Sequence, residues 1–232
     1  MKKIAISQSN YIPWKGYFDM INMVDEFILY DDVQYTRRDW RNRNKIKTQH
    51  GLKWLSIPVE AKGKYFQKIN ETKISDKEWG ARHWSILQQN YAHTKYFTRY
   101  KEIFEELYLN SNEEYLSKIN YKFIMAINKL LGITTKIRDS GEFNLADGQT
   151  ERLLTICKDS NADIYLSGPA AKEYFDEDLA QKEGIKVEWM DYSGYREYHQ
   201  CFEPFEHAVS ILDLLFNEGH NAHKFMKSFT KQ

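Results

Sequence analysis

The chain has 232 residues, 42% hydrophobic and 28% charged, a globular composition long enough for one large core or for two small domains. Its 33 basic and 33 acidic residues cancel, which argues against a nucleic-acid binder, whose affinity rests largely on neutralised phosphates. Two cysteines, Cys157 and Cys201, with no CxxC pair, exclude a zinc finger or dithiol motif and fit a reducing compartment.

Residues 2–7 (KKIAIS) read as a buried strand, followed by a polar loop at 8–13 in which Pro13 steers Ile12 away from helical geometry. Trp14, Tyr17, Phe18, Ile21 and Val24 recur at helical spacing, and 26–30 is a second strand. Strand, helix and strand within about 30 residues form a βαβ unit and imply parallel pairing. Residues 32–44 are polar and aromatic. Strands are expected at 45–48 and 52–59, with a further one at 65–75.

Helical periodicity covers 77–91, 97–109 and 113–131, with Gly132 as a C-cap. Then come a strand at 134–138, a helix capped by Asp147 or Thr150, and a strand at 162–167. Gly168 and Pro169 open a helix toward Phe175. A strand at 186–190 and helices at 207–217 and 220–229 complete the pattern. The expected fold is α/β, a mainly parallel sheet flanked by helices, with a helical insertion at about 77–131. No apolar run approaches the roughly 18 residues of a membrane span, and the first residues lack a signal-peptide core. The expected location is the cytoplasm, without membrane insertion.

Ligands of open α/β sheets bind beyond the carboxyl ends of the strands. Three segments are expected at that edge: 8–13, 31–34 and 167–170. Gln8, Asn10, Tyr11 and Trp14 precede a helix N-terminus whose free N–H groups suit a phosphate or carboxylate; capping the helix is the alternative role. Asp31 and Asp32 suit a base with its orienter, or a turn held by side-chain hydrogen bonds; with no third carboxylate nearby in sequence, no metal is expected. Gln34, Ser167 and Gly168 share the same edge.

Arg37, Arg38, Arg41, Arg43, Lys45 and Lys47 form a basic run that suits a sugar-nucleotide diphosphate, an acidic carrier protein or a solvated strand face. Arg43, Asn44 and Lys47 are taken as substrate-binding. His83, on a helix beside core-type residues, is either a packed histidine or a general base. His199, His207, His220 and His223 carry no metal signature and are read as surface residues. Cys201 beside His199 lacks an oxyanion-hole motif, Cys157 reads as core, and Ser167–Gly168 is not a hydrolase elbow.

These segments resemble the WbqC-like family. The resemblance rests on QSNYIPWKGYFDMI at 8–21, FILYDDVQY at 27–35, WRNRNKIKT at 40–48, GLKWLSIPV at 51–59, IYLSGPAAKEYF at 164–175 and SILDLLFN at 210–217. Ser9 stands where the family commonly has a second proline, and the segment before the final helix has its own His199-Gln200-Cys201-Phe202. The resemblance spans nearly the whole chain, read as one domain over 1–232, and implies a setting in O-antigen-type surface-glycan synthesis.

The expected function is an acyl- or aminoacyltransferase acting on the amino group of a nucleotide-linked sugar. Asp32 or His83 would be the base, Arg43 and Lys47 the diphosphate grip, and Tyr11 and Trp14 the pocket wall. No cofactor is expected beyond an acyl or aminoacyl donor carried by a carrier protein. Two alternatives stand beside it. One is a nucleotidyl or phosphoryl transfer enzyme, disfavoured because 8–13 has neither glycines nor histidine. The other is a non-catalytic carrier-binding protein.

Overall fold

The computed structural model describes residues 1–229. The elements run β1 Lys3–Ser7, α1 Lys15–Asn22, β2 Glu26–Leu29, β3 Arg43–Thr48, β4 Gly51–Ser56, α2 Trp79–Tyr91, α3 Phe97–Leu109 and α4 Leu116–Leu131. They continue with β5 Lys136–Asp139, α5 Gln149–Asp159, β6 Ile164–Ser167, α6 Glu177–Lys182, β7 Lys186–Trp189 and α7 Ile211–Glu218. Five strands form one sheet in the order β5-β2-β1-β6-β7, and every neighbouring pair is parallel. β3 and β4 pair separately as an antiparallel hairpin.

The sheet alternates. Ala5, Phe27, Leu29 and Leu166 face the larger core, with α1, the helices α2 to α4 and α7. Ile4, Ile6, Ile28 and Tyr165 face the smaller one, with Leu153, Leu154 and Cys157 of α5 and Ala180 of α6. Both faces are therefore covered, as a parallel sheet requires. In chain order the strands lie third, second, first, fourth, fifth. That is the order of doubly wound dinucleotide-binding folds, and it places the topological switch between β1 and β6.

The α/β class and the helical insertion agree with expectation, and Gly132 closes α4 in the left-handed region at φ 73°. Some elements differ. Residues 65–75 are not a strand; they hold a 3-10 turn, Ile69–Glu71. Their amides are divided among several partners instead of one neighbouring strand: Ile69 N–H donates to the Val33 carbonyl and Asn70 N–H to that of Asp31 in the loop after β2, while Ile74 N–H goes to Glu114 and Ser75 N–H to Pro58. α5 is entered through Gly148 at φ 96°, with neither Asp147 nor Thr150 as its cap. The turn after Gly168 is a 3-10 helix, Pro169–Glu173. α7 begins only at Ile211, and the stretch after it, Gly219–Phe225, is a 3-10 helix. Among the described residues, no helix is long and apolar enough to cross a membrane.

Candidate active site at the switch point

A cleft of about 880 Å3 opens at the carboxyl ends of β1 and β6, where the strand order reverses. Ser7 and Gln8 leave β1 into it, and Ser167 and Gly168 leave β6 into it. Nothing lies within 4 Å of where a Gly168 side chain would start, so backbone and ligand can approach closely there. Ser167 Oγ donates to Tyr165 Oη at 3.1 Å on the floor, and burial raises the Tyr165 pKa so that it stays a neutral phenol.

The β2 side supplies Tyr30, Asp32 and Gln34. Asp31 turns inward instead: it is buried and accepts the Ser9 N–H at 2.8 Å, and burial raises its pKa to about 6. Asp32 turns outward. One oxygen accepts from Ser140 Oγ at 2.7 Å, and the other accepts from Asn70 Nδ2 at 3.1 Å with Lys68 Nζ 3.6 Å away. Neighbouring positions on a strand exit point to opposite sides, so one carboxylate braces the loop and the next faces the ligand space.

The remaining wall comes from elements remote in sequence. α5 presents its N-terminus through Gly148 and Gln149, and no side chain caps its first amides. Arg152, one turn in, donates through Nε to the Ala146 carbonyl at 2.7 Å, and its positive charge opposes the rise that burial causes in the Tyr30 pKa. Lys68 completes the cationic side. A helix N-terminus, a guanidinium and an ammonium facing one cleft form an environment for an anion.

The structure divides the residues expected to bind or react. Gln8, Asp32, Gln34, Ser167 and Gly168 meet in this cleft. Asn10, Trp14 and Asn44 line a second, smaller cavity of about 230 Å3 with Trp40 and His207. The loop between them is tightly braced. Asn44 Nδ2 donates to the Ile12 carbonyl at 2.9 Å, Asn120 Nδ2 donates to Ser9 Oγ at 3.0 Å, and Arg41 bonds Asn10 Oδ1. This bracing holds Ile12 at φ 38°, which a β-branched residue adopts only when its surroundings force it.

Tyr11 and His83 lie in the larger core, Tyr11 Oη 2.8 Å from His83 Nδ1 and 3.0 Å from Tyr108 Oη, edge-on to Trp79 and Phe123. Burial lowers the His83 pKa to about 4, so the ring is neutral at pH 7. Lys47 is buried and bonds the Pro204 carbonyl. Arg43 bonds the Arg38 carbonyl and lies over Trp54, 4.1 Å from the ring centre. Cys157 is buried, its thiol pushed up to about 12, and Cys201 Sγ donates to Asn217 Oδ1 at 3.1 Å.

Tyr30, Lys68, Gln149, Arg152, Tyr165 and Tyr174 enter the cleft without having been singled out in the sequence. The signal for Arg152 and Gln149 was the carboxyl-edge rule itself, applied to the helix that follows β5. Nothing local marks Lys68, because its place depends on the stitching of 65–75 to the β2 loop.

A family model, the WbqC-like protein family, matches residues 8–225. The chain belongs to the WbqC-like family. A curated relative of this WbqC-like chain, "Uncharacterized protein Rv1507c" of Mycobacterium tuberculosis (strain ATCC 25618 / H37Rv), is 49% identical over 227 residues, 98% of each chain. No solved structure matches significantly. The match to both the family and the relative takes in the switch-point loops and the segments carrying Lys68, Arg152 and Tyr174.

Proposed function

We propose that this WbqC-like protein is a cytoplasmic enzyme of surface-polysaccharide synthesis that binds a nucleotide-linked amino sugar at the switch point and acylates or aminoacylates its amino group. The observation that carries the reading is the convergence of Lys68, Arg152 and the uncapped start of α5 on a cleft in a sheet of dinucleotide-binding order. A diphosphate fits that environment, since its charge is met by fixed donors with little rearrangement. The cleft has the size of a small-molecule site, about 300–1,000 Å3.

In this reading Asp32 is the base. The sugar amine attacks the carbonyl carbon of a donor thioester or ester. A C–N bond forms as the C–S or C–O bond breaks, and the amine proton passes to Asp32 and on to the departing thiolate or alkoxide. Ser140 and Asn70 hold the carboxylate in place. Arg37 and Arg38 are exposed on the segment before β3, with Arg43 and Lys45 half-buried beside them, and this basic surface would receive an acidic carrier protein bringing the donor. Tyr11 and His83 take a supporting role, fixing the aromatic core against which the 8–13 loop rests.

Calorimetric titration with nucleotide-linked amino sugars tests this. Wild type should bind, and Arg152→Ala should weaken binding by about tenfold or more, the loss of a charged hydrogen-bonding pair. Asp32→Asn should keep most of the binding and lose transfer by about 100-fold or more, the contribution of a general base. Failure of wild type to bind any nucleotide-linked sugar would end this reading.

A further inference from the structure

Two aromatic rings at the rim of the switch-point cleft are exposed to solvent. Phe66 is 83% exposed and Tyr174 is 53% exposed, and both line the cleft. Among the described residues, the other phenylalanines are buried or half-buried. Leaving one fully solvated forgoes the burial that normally accompanies so large a ring. Phe66 belongs to neither hydrophobic core; its ring meets the similarly exposed Tyr65 edge-on at 5.0 Å.

The two rings flank the end of β1. Gln34 Nε2 donates to the Tyr65 carbonyl at 2.8 Å and Tyr35 N–H donates to that of Gln67 at 2.9 Å, so the backbone on either side of Phe66 is fixed to the β2 loop. Tyr174 follows the 3-10 turn after β6. β2 and β6 are the two neighbours of β1, so the rings stand on its two sides. Lys68 lies two residues beyond Phe66, and Arg152 lines the same cleft. A ligand that carries phosphates against Lys68 and Arg152 therefore has an aromatic ring on each side.

We infer that Phe66 and Tyr174 take the planar base of a nucleotide between them, so that the ligand is recognised as a nucleoside diphosphate and not as a bare sugar phosphate. The inference rests on the reading of the cleft as a nucleotide-sugar site and extends it to the part of the ligand that gives the grip. Stacking on flat rings tolerates any base, so hydrogen-bond partners at the cleft mouth, Gln34 and Gln149 among them, would set the preference among bases.

The test is titration of the full chain and of Phe66→Ala, Tyr174→Ala and Phe66→Trp with UDP, dTDP, GDP and ADP, and in parallel with inorganic pyrophosphate. Both alanine variants should weaken nucleoside diphosphate binding by about 5- to 100-fold, the range for losing one stacked base–ring pair. Their pyrophosphate affinity should stay within about twofold, since the cations are untouched. Phe66→Trp should restore nucleotide binding. Both side chains are exposed, and an unchanged melting temperature confirms that the variants fold.

Nucleotide affinity that survives both alanine substitutions would overturn the inference and leave the cleft reading standing. So would an equal loss for pyrophosphate, which would mean a disturbed cleft and no stacking. A wild type that binds neither nucleotides nor pyrophosphate would overturn the cleft reading, and the inference with it.

Discussion

Two regions of the molecule handle carboxylates in opposite ways. Under the irregular stretch at 190–210, Asp213 is sealed in the core, with Tyr91 Oη and Tyr198 Oη each donating to it at 2.8 Å and Gln200 Nε2 at 3.0 Å. Asp19, equally buried, accepts from Tyr195 Oη at 2.6 Å and from the amides of Lys227 and Ser228. At the switch-point cleft, Asp32 has fewer partners and opens onto ligand-sized space. A carboxylate whose lone pairs are filled by the protein serves the fold, pinning a segment that has no ladder of its own. One with acceptor capacity left over, facing a cavity, is available for chemistry.

The contrast can be broken most directly by removing each carboxylate. Asp213→Ala strands the buried hydroxyls of Tyr91 and Tyr198 and should lower stability by about 3 kcal/mol or more in urea unfolding. Asp32→Ala, at the cleft edge, should cost about 1 kcal/mol while abolishing turnover. Equal losses of stability would erase the distinction.

A comparable effect, spread over pH, sharpens it. His83 has its folded pKa lowered by burial to about 4, so its neutral form is the one the fold accepts. The stability it contributes is complete above its unfolded pKa near 6.5 and is lost as pH falls toward 4, by about 3 kcal/mol. Asp31 is the mirror case. Its folded pKa, raised to about 6, means that the fold prefers the protonated acid, and stability drains by about 3 kcal/mol as pH rises from 4 to 6. The two slopes oppose each other over nearly the same window. Unfolding of His83→Gln and Asp31→Asn between pH 4 and 7 should separate them: relative to wild type, His83→Gln gains stability toward pH 4 and Asp31→Asn gains it toward pH 6. A flat difference for either variant would show that its group is not held in the form its burial favours.

A further, modest effect is at the mouth of the cleft. Gly148 sits at φ 96°, and a Cβ there would meet the Glu151 carboxylate. Gly148→Ala should lower stability by about 1–2 kcal/mol, checked by the melting temperature, with the first turn of α5 displaced at the cleft.

Much of the scaffold was readable in the residues. Apolar runs such as KIAIS and IYLS mark strands buried on both faces, and the helical periodicity at 79–131 is strong because those helices pack one face on a shared core. The 65–75 segment misled because its residues answer to several partners, the β2 loop, Pro58–Glu60 and Glu114–Tyr115, and not to one continuous strand. For the site, Gln8, Asp32, Gln34, Ser167 and Gly168 follow from a rule about strand ends, which needs no long-range knowledge. Arg152 follows from the same rule only when it is applied to the helix after β5, and Lys68 and Tyr174 do not follow from it, since strand order decides which ends become neighbours, and pairing between residues 3 and 164 leaves no local trace. Tyr11 and His83 have the residue types of a site and the surroundings of a core; only burial tells them apart.

That same long-range pairing bears on how the protein is made. Within its sheet β1 leaves the ribosome first and takes the central place, yet its β6 edge is completed only when residue 164 and its neighbours emerge. At about 5–20 residues per second, some 160 residues take about 10–30 s. During that interval β2 can cover one side of β1 while the other stays an open, apolar edge. The two strands that frame the cleft are thus among the first and last parts of the sheet to be synthesised, and the site cannot exist on any nascent chain that stops short of β6.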